Sequence, residues 1–390
     1  MSSINLFSET LKREFKRMLS RPVYLLGTFG VMFFCYFFFL TFMKEGQPIR
    51  MPIAVVDLDN SSLSRQFLRN LNATQQAEIV SGYKSYNEAR KEMQKGNIYA
   101  FVVIKENFEA EVLANRRPEM TFYVNDAYLI AGSLLLKDIT YMSELTAGAL
   151  KQKVLQAKGV DESKIMGIIQ PISLDTHLIG NPWANYGVYL LNVLLPGVLQ
   201  LMILMLTVFS IGVELKERTS HAWLSIAGDN FFIALMAKLL PYTLIFTFLG
   251  IVADVLMYKY MGYPMNSNIG WMFFTTFLYV LANQAIGVLI IGITPVLRDG
   301  VTMAALYGLL GFTYAGFTFP IEQMPYLAQV FSHLFPMRHY FRIYVNQALN
   351  GVSIGYSVNY LLALIAFTVL PMLVYNRLKK AAIYQNYPIK

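Results

Sequence analysis

Apolar residues in this chain gather into six long runs, approximately Val23–Met43, Tyr186–Val213, Phe231–Met257, Ile269–Val296, Val301–Phe319 and Val358–Tyr375. The first holds no charged residue. At about 1.5 Å per residue it extends roughly 31 Å, the thickness of a hydrocarbon core. It lacks a cleavage site of small residues and runs straight into Lys44 and Glu45, which predicts a retained span rather than a signal peptide. The pattern predicts an α-helical polytopic membrane protein with six transmembrane helices, one (23–43) before and five (within 184–376) after an inserted α/β domain at 44–183.

Inside 44–183 the pattern changes to short apolar runs separated by turn residues. Pro52–Asp57, Tyr99–Ile104 and Met120–Val124 read as strands. A helix starting near Ser61 or Ser62, then Tyr86–Gln94 and Glu106–Leu113, read as the helices between them. Strands alternating with helices predict a small layered sheet with parallel pairs. Asp57 and Asp59 near Ser61 suggest a turn and helix cap, with no catalytic role. From Tyr128 to Lys158 a long helical pattern forms a stalk or lies against the sheet. Pro171, Gly180 and Pro182 then break the chain before the second apolar run.

Before the first run, residues 3–20 carry Ile4, Phe7, Leu11, Phe15 and Met18 at three- and four-residue spacing, with Lys12, Arg13, Lys16 and Arg17 over much of the rest. This predicts an amphipathic helix (residues 1–22) lying along the headgroups.

Charge sets the orientation. Lys12, Arg13, Lys16, Arg17 and Arg21 precede the first run, and Arg377, Lys379, Lys380 and Lys390 lie in a tail at 377–390. Lys216 and Arg218 follow the second run and Arg298 follows the fourth. Six spans put both ends on one side, and basic residues mark the cytoplasmic side. The termini are therefore expected in the cytoplasm and 44–183 outside. The composition agrees. The 390 residues are 55% hydrophobic and 14% charged, against about 25% charged in soluble domains. The net charge of +8 sits beside span ends, so it reads as topology and not as nucleic-acid binding. The single cysteine, Cys35, falls inside the first run, so the insert folds without an internal disulfide.

Several segments give this layout a family likeness. They are Val55-Val56-Asp57-Leu58-Asp59-Asn60-Ser61-Ser62 with Ser64-Arg65, and Gly96-Asn97-Ile98-Tyr99-Ala100-Phe101-Val102-Val103-Ile104 with Phe108. The loop after the second run reads Glu214-Leu215-Lys216-Glu217-Arg218-Thr219, with Trp223-Leu224 following. After the fifth come Gly316-Phe317-Thr318-Phe319-Pro320 and Met324-Pro325. In their order and spacing these resemble the ABC-2 type transporter permease, the membrane subunit of type-2 ABC exporters, in its drug-efflux-like subgroup with a large periplasmic domain after the first span. The family's coupling motif is Glu-Arg-Gly-Thr-like; here no glycine stands between Arg218 and Thr219.

The resemblance implies a cell inner membrane protein that pairs with a second permease copy or paralogue and contacts a separate ABC ATP-binding subunit. ATP and Mg would sit on that partner, with no cofactor, metal or catalytic residue on this chain. Closure of two ATPases would move an amphipathic or drug-like compound outward; some relatives engage periplasmic adaptor proteins. The residues agree on one point independently. A phosphate-cradling loop needs glycines followed by Lys and Ser or Thr, and this chain has no Gly-Lys dipeptide.

On the same resemblance, Glu214, Lys216, Glu217, Arg218 and Thr219, in a cytoplasmic loop at 214–229, read as the electrostatic dock for the ATPase. Trp223 and Leu224 read as its apolar anchor; the plainer reading is a charged turn that stops a span. Gly316, Pro320, Glu322 and Pro325 belong to an outer hairpin at 316–340, where Glu322 either gates the exit or is an ordinary polar loop residue. Lys238 and Asp254 read as edge residues of the third run, Lys238 snorkelling to the headgroups. Phe33, Phe34, Tyr36, Phe37, Phe38 and Phe39 line an apolar path or meet lipid. His177, His221, His333 and His339 lack metal-ligand spacing. Export of a lipid or surface component is the runner-up. A membrane-anchored sensor or scaffold with a ligand-binding outer domain is the alternative from another class.

Overall fold

The computed structural model describes residues 3–114, 116–385 and 387; Lys390 of the basic tail lies outside them. Contacts divide the chain into two compact units, one holding the residues up to Gly46 together with those from His177 onward, the other Gln47–Thr176.

The chain opens with α1 (Ser3–Ser20). Next, α2 (Pro22–Leu25), a π-turn at Leu26–Gly30 and α3 (Val31–Phe42) form one apolar helix. Pro22 takes the first helical position, where its missing N–H breaks no bond.

The second unit follows in the order β1 (Met51–Asp57), α4 (Ser62–Asn72), β2 (Ala77–Gly82), α5 (Tyr86–Gln94), β3 (Ala100–Ile104), α6 (Phe108–Leu113), β4 (Met120–Val124), α7 (Leu129–Ala157) and α8 (Glu162–Ile169). The sheet order is β2-β1-β3-β4; β1 runs parallel to β2 and β3, and β4 antiparallel to β3. Ile53, Val102 and Ile104 face Phe67 and Leu71 of α4 and Leu135 and Ile139 of α7, while Val56 and Phe101 face Ala89 of α5. Both faces are covered, so β1 and β3 read as continuous apolar runs. Each fully buried aliphatic side chain contributes about 1.5–3 kcal/mol. After β1, Asp57 Oδ1 accepts from the backbone N–H groups of Asp59 and Asn60, and Ser61 Oγ accepts from Ser64 N, capping α4. Only the first part of α7 lies against the sheet; its later turns pack on α8. Strand β2 and helix α8 were not expected from the sequence.

The first unit resumes with α9 (Tyr186–Lys216), α10 (Ser220–Ile226), α11 (Phe231–Val255) with a π-turn at Leu256–Tyr260, α12 (Ile269–Ile293), α13 (Leu297–Thr313), α14 (Tyr326–Ser332), α15 (Pro336–Tyr344) with a π-turn at Val345–Leu349, α16 (Val358–Phe367) and α17 (Pro371–Tyr384). The central helix is α12, packed on α9, α11, α13, α15, α16 and α17. Among the described residues, five helices are long and apolar enough to cross a membrane: Pro22–Phe42, Tyr186–Lys216, Phe231–Tyr260, Ile269–Ile293 and Ile354–Tyr384. In the expected fifth run, α13 has 17 residues, roughly 26 Å, and ends before Gly316, whose φ is +89°. The final helix continues to Tyr384, so residues 377–384 of the expected tail are helical.

Candidate functional site

Helix α9 ends in a tight reversal. Thr219 N donates to Glu214 O at 3.0 Å and Arg218 N to Leu215 O at 3.3 Å, with Arg218 at φ +56°. This paired closure favours glycine at the left-handed position; here arginine occupies it. After α10, Asn230 Oδ1 accepts from Phe232 N and Ile233 N and starts α11.

Beneath that reversal lies a buried ionic cluster. Glu214, fully buried, takes a two-pronged contact from Arg13 (Nη1 to Oε1 2.7 Å, Nη2 to Oε2 3.0 Å). Arg17 Nη1 lies 2.5 Å from the same carboxylate, and Thr219 Oγ1 donates to it as well. Lys238 Nζ reaches Glu214 Oε1 at 3.1 Å and Glu14 Oε2 at 2.5 Å, and Tyr242 donates to Glu14 Oε1 at 2.9 Å. At the rim, Glu217 pairs with Arg17 at 3.0 Å and with both Nη atoms of Arg21 at 2.7 Å. The hydrogen bonds from Arg21 hold the Glu217 carboxyl below the usual carboxylate range. Charges withdrawn from water persist only when paired and hydrogen-bonded, and here each carboxylate has cationic partners.

Three expectations change. The inward face of α1 centres on Thr10, Glu14 and Met18, while Ile4 and Phe15 are exposed. Its charges therefore turn partly toward α9 and α11, because their partners lie there. Lys238, expected to snorkel, is fully buried and sits 5.1 Å from the Trp223 ring centroid. Glu214, Trp223 and Leu224, expected at a docking surface, are buried. Trp223 Nε1 donates to Ala234 O at 3.2 Å, and its ring packs edge-on against Phe231. An anchor for a partner must be reachable, so these three bind the chain's own helices. Lys216, Glu217, Arg218, His221 and Ala222 remain exposed, with Thr219 half-buried. The end of α17 braces the same turn: Ser220 Oγ donates to Ala382 O at 2.8 Å, and Gln385 Nε2 to Arg218 O at 3.0 Å. This C-terminal brace was missed because 377–390 read as a tail.

The sequence matches the model of a family described as ABC-2 family transporter protein over residues 22–374. The chain belongs to that family. It is therefore the membrane subunit of an ABC transporter, a class of permease that typically works with an ATP-binding subunit. No curated protein sequence matches this ABC-2 chain.

The other predicted residues lie apart from the cluster. In the segment after α13, Gly316 lies against Ile321; a Cβ there would stand 2.8 Å from Ile321 Cγ1. Pro320 precedes a single 3-10 turn, Ile321–Gln323, and Pro325 caps α14. Exposed Glu322 pairs with Arg342. Of the first-run aromatics, Tyr36 is buried and donates to Leu249 O at 2.6 Å, whereas Phe33, Phe34, Phe37 and Phe38 are exposed. Asp254, expected to reach polar surroundings, is buried.

Proposed function

We propose that this ABC-2 permease exports an amphipathic small molecule across the bacterial cytoplasmic membrane, driven by a separate ATPase that docks on the exposed turn Lys216–Arg218 and the outer side of α10. The observation that carries this reading is the buried cluster joining α1 to α9 and α11 directly beneath that turn. A push on Lys216, Arg218 or His221 bears on a rigid, charge-locked junction of three helices. Such a junction relays displacement because tightly packed, charge-paired networks resist local deformation. The expected dock is thereby divided: Lys216 and Arg218 meet the partner, joined by the exposed His221, which the expected dock did not include, while Glu214, Trp223 and Leu224 tie the turn to the spans.

In this reading α13, with the hairpin of α14 and α15, completes a sixth crossing. Both termini lie in the cytoplasm and the sheet unit outside. Two such permeases work as a dimer with two ATPases, and a periplasmic adaptor meets the sheet unit. A lipid or surface component as cargo would use the same machine.

The test is ATP hydrolysis by the partner ATPase with this chain in nanodiscs, comparing wild type with Lys216→Glu and Arg218→Glu. Stimulated hydrolysis and co-purification should appear with wild type and fall in both variants. Unchanged coupling in two folded variants would remove the docking assignment.

A further inference from the structure

We infer that Asp254, with Tyr36, Thr276, Tyr279 and Tyr340, forms a recognition site for an aromatic organic cation, and that a proton occupies the site when the cation is absent. This rests on the permease reading and adds a substrate class to it.

Asp254 is 1% exposed and lies in α11, about 9 Å along the helix from Tyr260. Thr276 Oγ1 donates to its Oδ2 at 2.8 Å and Tyr340 OH approaches Oδ1 at 3.5 Å. Among the described residues no lysine, arginine or histidine pairs with it. This contrasts with Glu14 and Glu214, which are equally buried and each matched by cations. An ionised carboxylate withdrawn from water without a cation is strongly disfavoured, so the group takes up a proton or a cation.

Its surroundings suit an organic cation. The titratable groups facing it are tyrosines: Tyr36 from α3, Tyr258 from the π-turn, Tyr279 from α12 and Tyr340 from α15. From α9 come Leu195, Pro196 and Leu199, which bear no charge. Tyrosine faces attract cations through the ring quadrupole, more so away from water. Met32 adds a polarisable contact.

In this conformation the cavity beside Asp254 has about 10 Å³ of free volume, room for one water, so a cation enters only when the helices part. The backbone is irregular there on three helices. Asp254 stands two residues before the π-turn at Leu256–Tyr260, Tyr340 stands ahead of that at Val345–Leu349, and Pro196 interrupts α9. Such irregularities leave the helical ladder incomplete and recur at functional sites.

The experiment is calorimetric titration of the full chain in nanodiscs, without the ATPase, with tetraphenylphosphonium and with neutral triphenylphosphine oxide. Each is run in two buffers of different ionisation enthalpy. Wild type should bind the cation, prefer it to the neutral analogue, and release about one proton per cation bound at pH below the site's titration. Asp254→Asn should weaken binding roughly tenfold or more and abolish proton release; Asp254→Glu should keep both. No binding by wild type, binding without proton release, or equal affinity in Asp254→Asn would overturn the assignment. If Asp254→Asn does not fold, the wild-type proton count and Asp254→Glu decide. ATPase stimulation is read separately, so failure here leaves the docking assignment untouched, and failure of docking leaves this one.

Discussion

Lys238 Nζ lies 2.5 Å from Glu14 Oε2, although 224 positions separate the two residues. Through this pair and their shared neighbour Glu214, the N-terminal helix is fastened to α11 inside the protein rather than resting beside it. Removing one partner strands the other in a dry site. Glu14→Gln and Lys238→Met should each destabilise by about 3–5 kcal/mol, and the double variant should recover part of that loss. Thermal unfolding of the two single variants and the double variant reads the coupling; additive losses would show that the pair does not interact.

Arg218 occupies the left-handed position that closes α9. Arg218→Gly should raise stability by about 1 kcal/mol, since a side chain is strained there. If the docking reading holds, the same variant should lower ATPase stimulation, because it removes a reachable charge. A melt and a hydrolysis assay on one preparation separate the two effects. A fall in both would mean that the arginine side chain holds the turn.

Glu217 ties α9 to Arg17 and Arg21. Its carboxyl is held below the ordinary range by Arg21, so its stabilising contribution is complete above that range and is lost as pH falls through the folded value. The hydrogen-exchange protection of residues 13–21 should therefore fall on acidification. In Glu217→Gln that protection should start lower and change less with pH. Equal acid sensitivity in both proteins would assign the effect elsewhere.

Gly316 has φ +89° and faces Ile321 closely. Gly316→Val should cost about 1–2 kcal/mol from backbone strain alone, with further loss from the clash. It should loosen the segment carrying Pro320, Glu322 and Pro325, which limited proteolysis would detect as new cleavage between α13 and α14.

In a Cys35→Ala background, Lys216→Cys should react with an impermeant thiol reagent only from the cytoplasmic side and Lys105→Cys only from outside. Reaction of both from one side would overturn the proposed orientation.

How much was legible depends on where each residue's partner lies. Helix Tyr86–Gln94 and strand Met120–Val124 appear at the bounds that local pattern predicts, because capping and strand character are short-range properties. Strand β2, Ala77–Gly82, carries only Ile79 and Val80 as large apolar residues, and its strand character comes from pairing with β1. The same limit governs the site. That Glu214, Lys216, Glu217 and Arg218 form a charged turn was plain from the sequence. That Glu214 faces inward was not, since Arg13, Arg17 and Lys238 are distant in sequence and a charge count does not show which side a helix turns. Burial of Trp223 was likewise hidden, because an aromatic near a span end serves an interface or a core equally well.

The π-turn at Leu256–Tyr260 also changes what an insertion or deletion means here. Each residue of an α-helix advances the side-chain direction by about 100°, and a π-turn accommodates one residue more than the regular ladder. Excising a single residue from that turn would not simply shorten α11. It would return the segment to regular α-helix and leave the chain beyond Tyr260 facing nearly as before, because the wider turn sweeps about the same angle with one residue more. A length change of one in this segment is, in mechanical terms, taken up where it occurs, and the helix's outer end keeps its face.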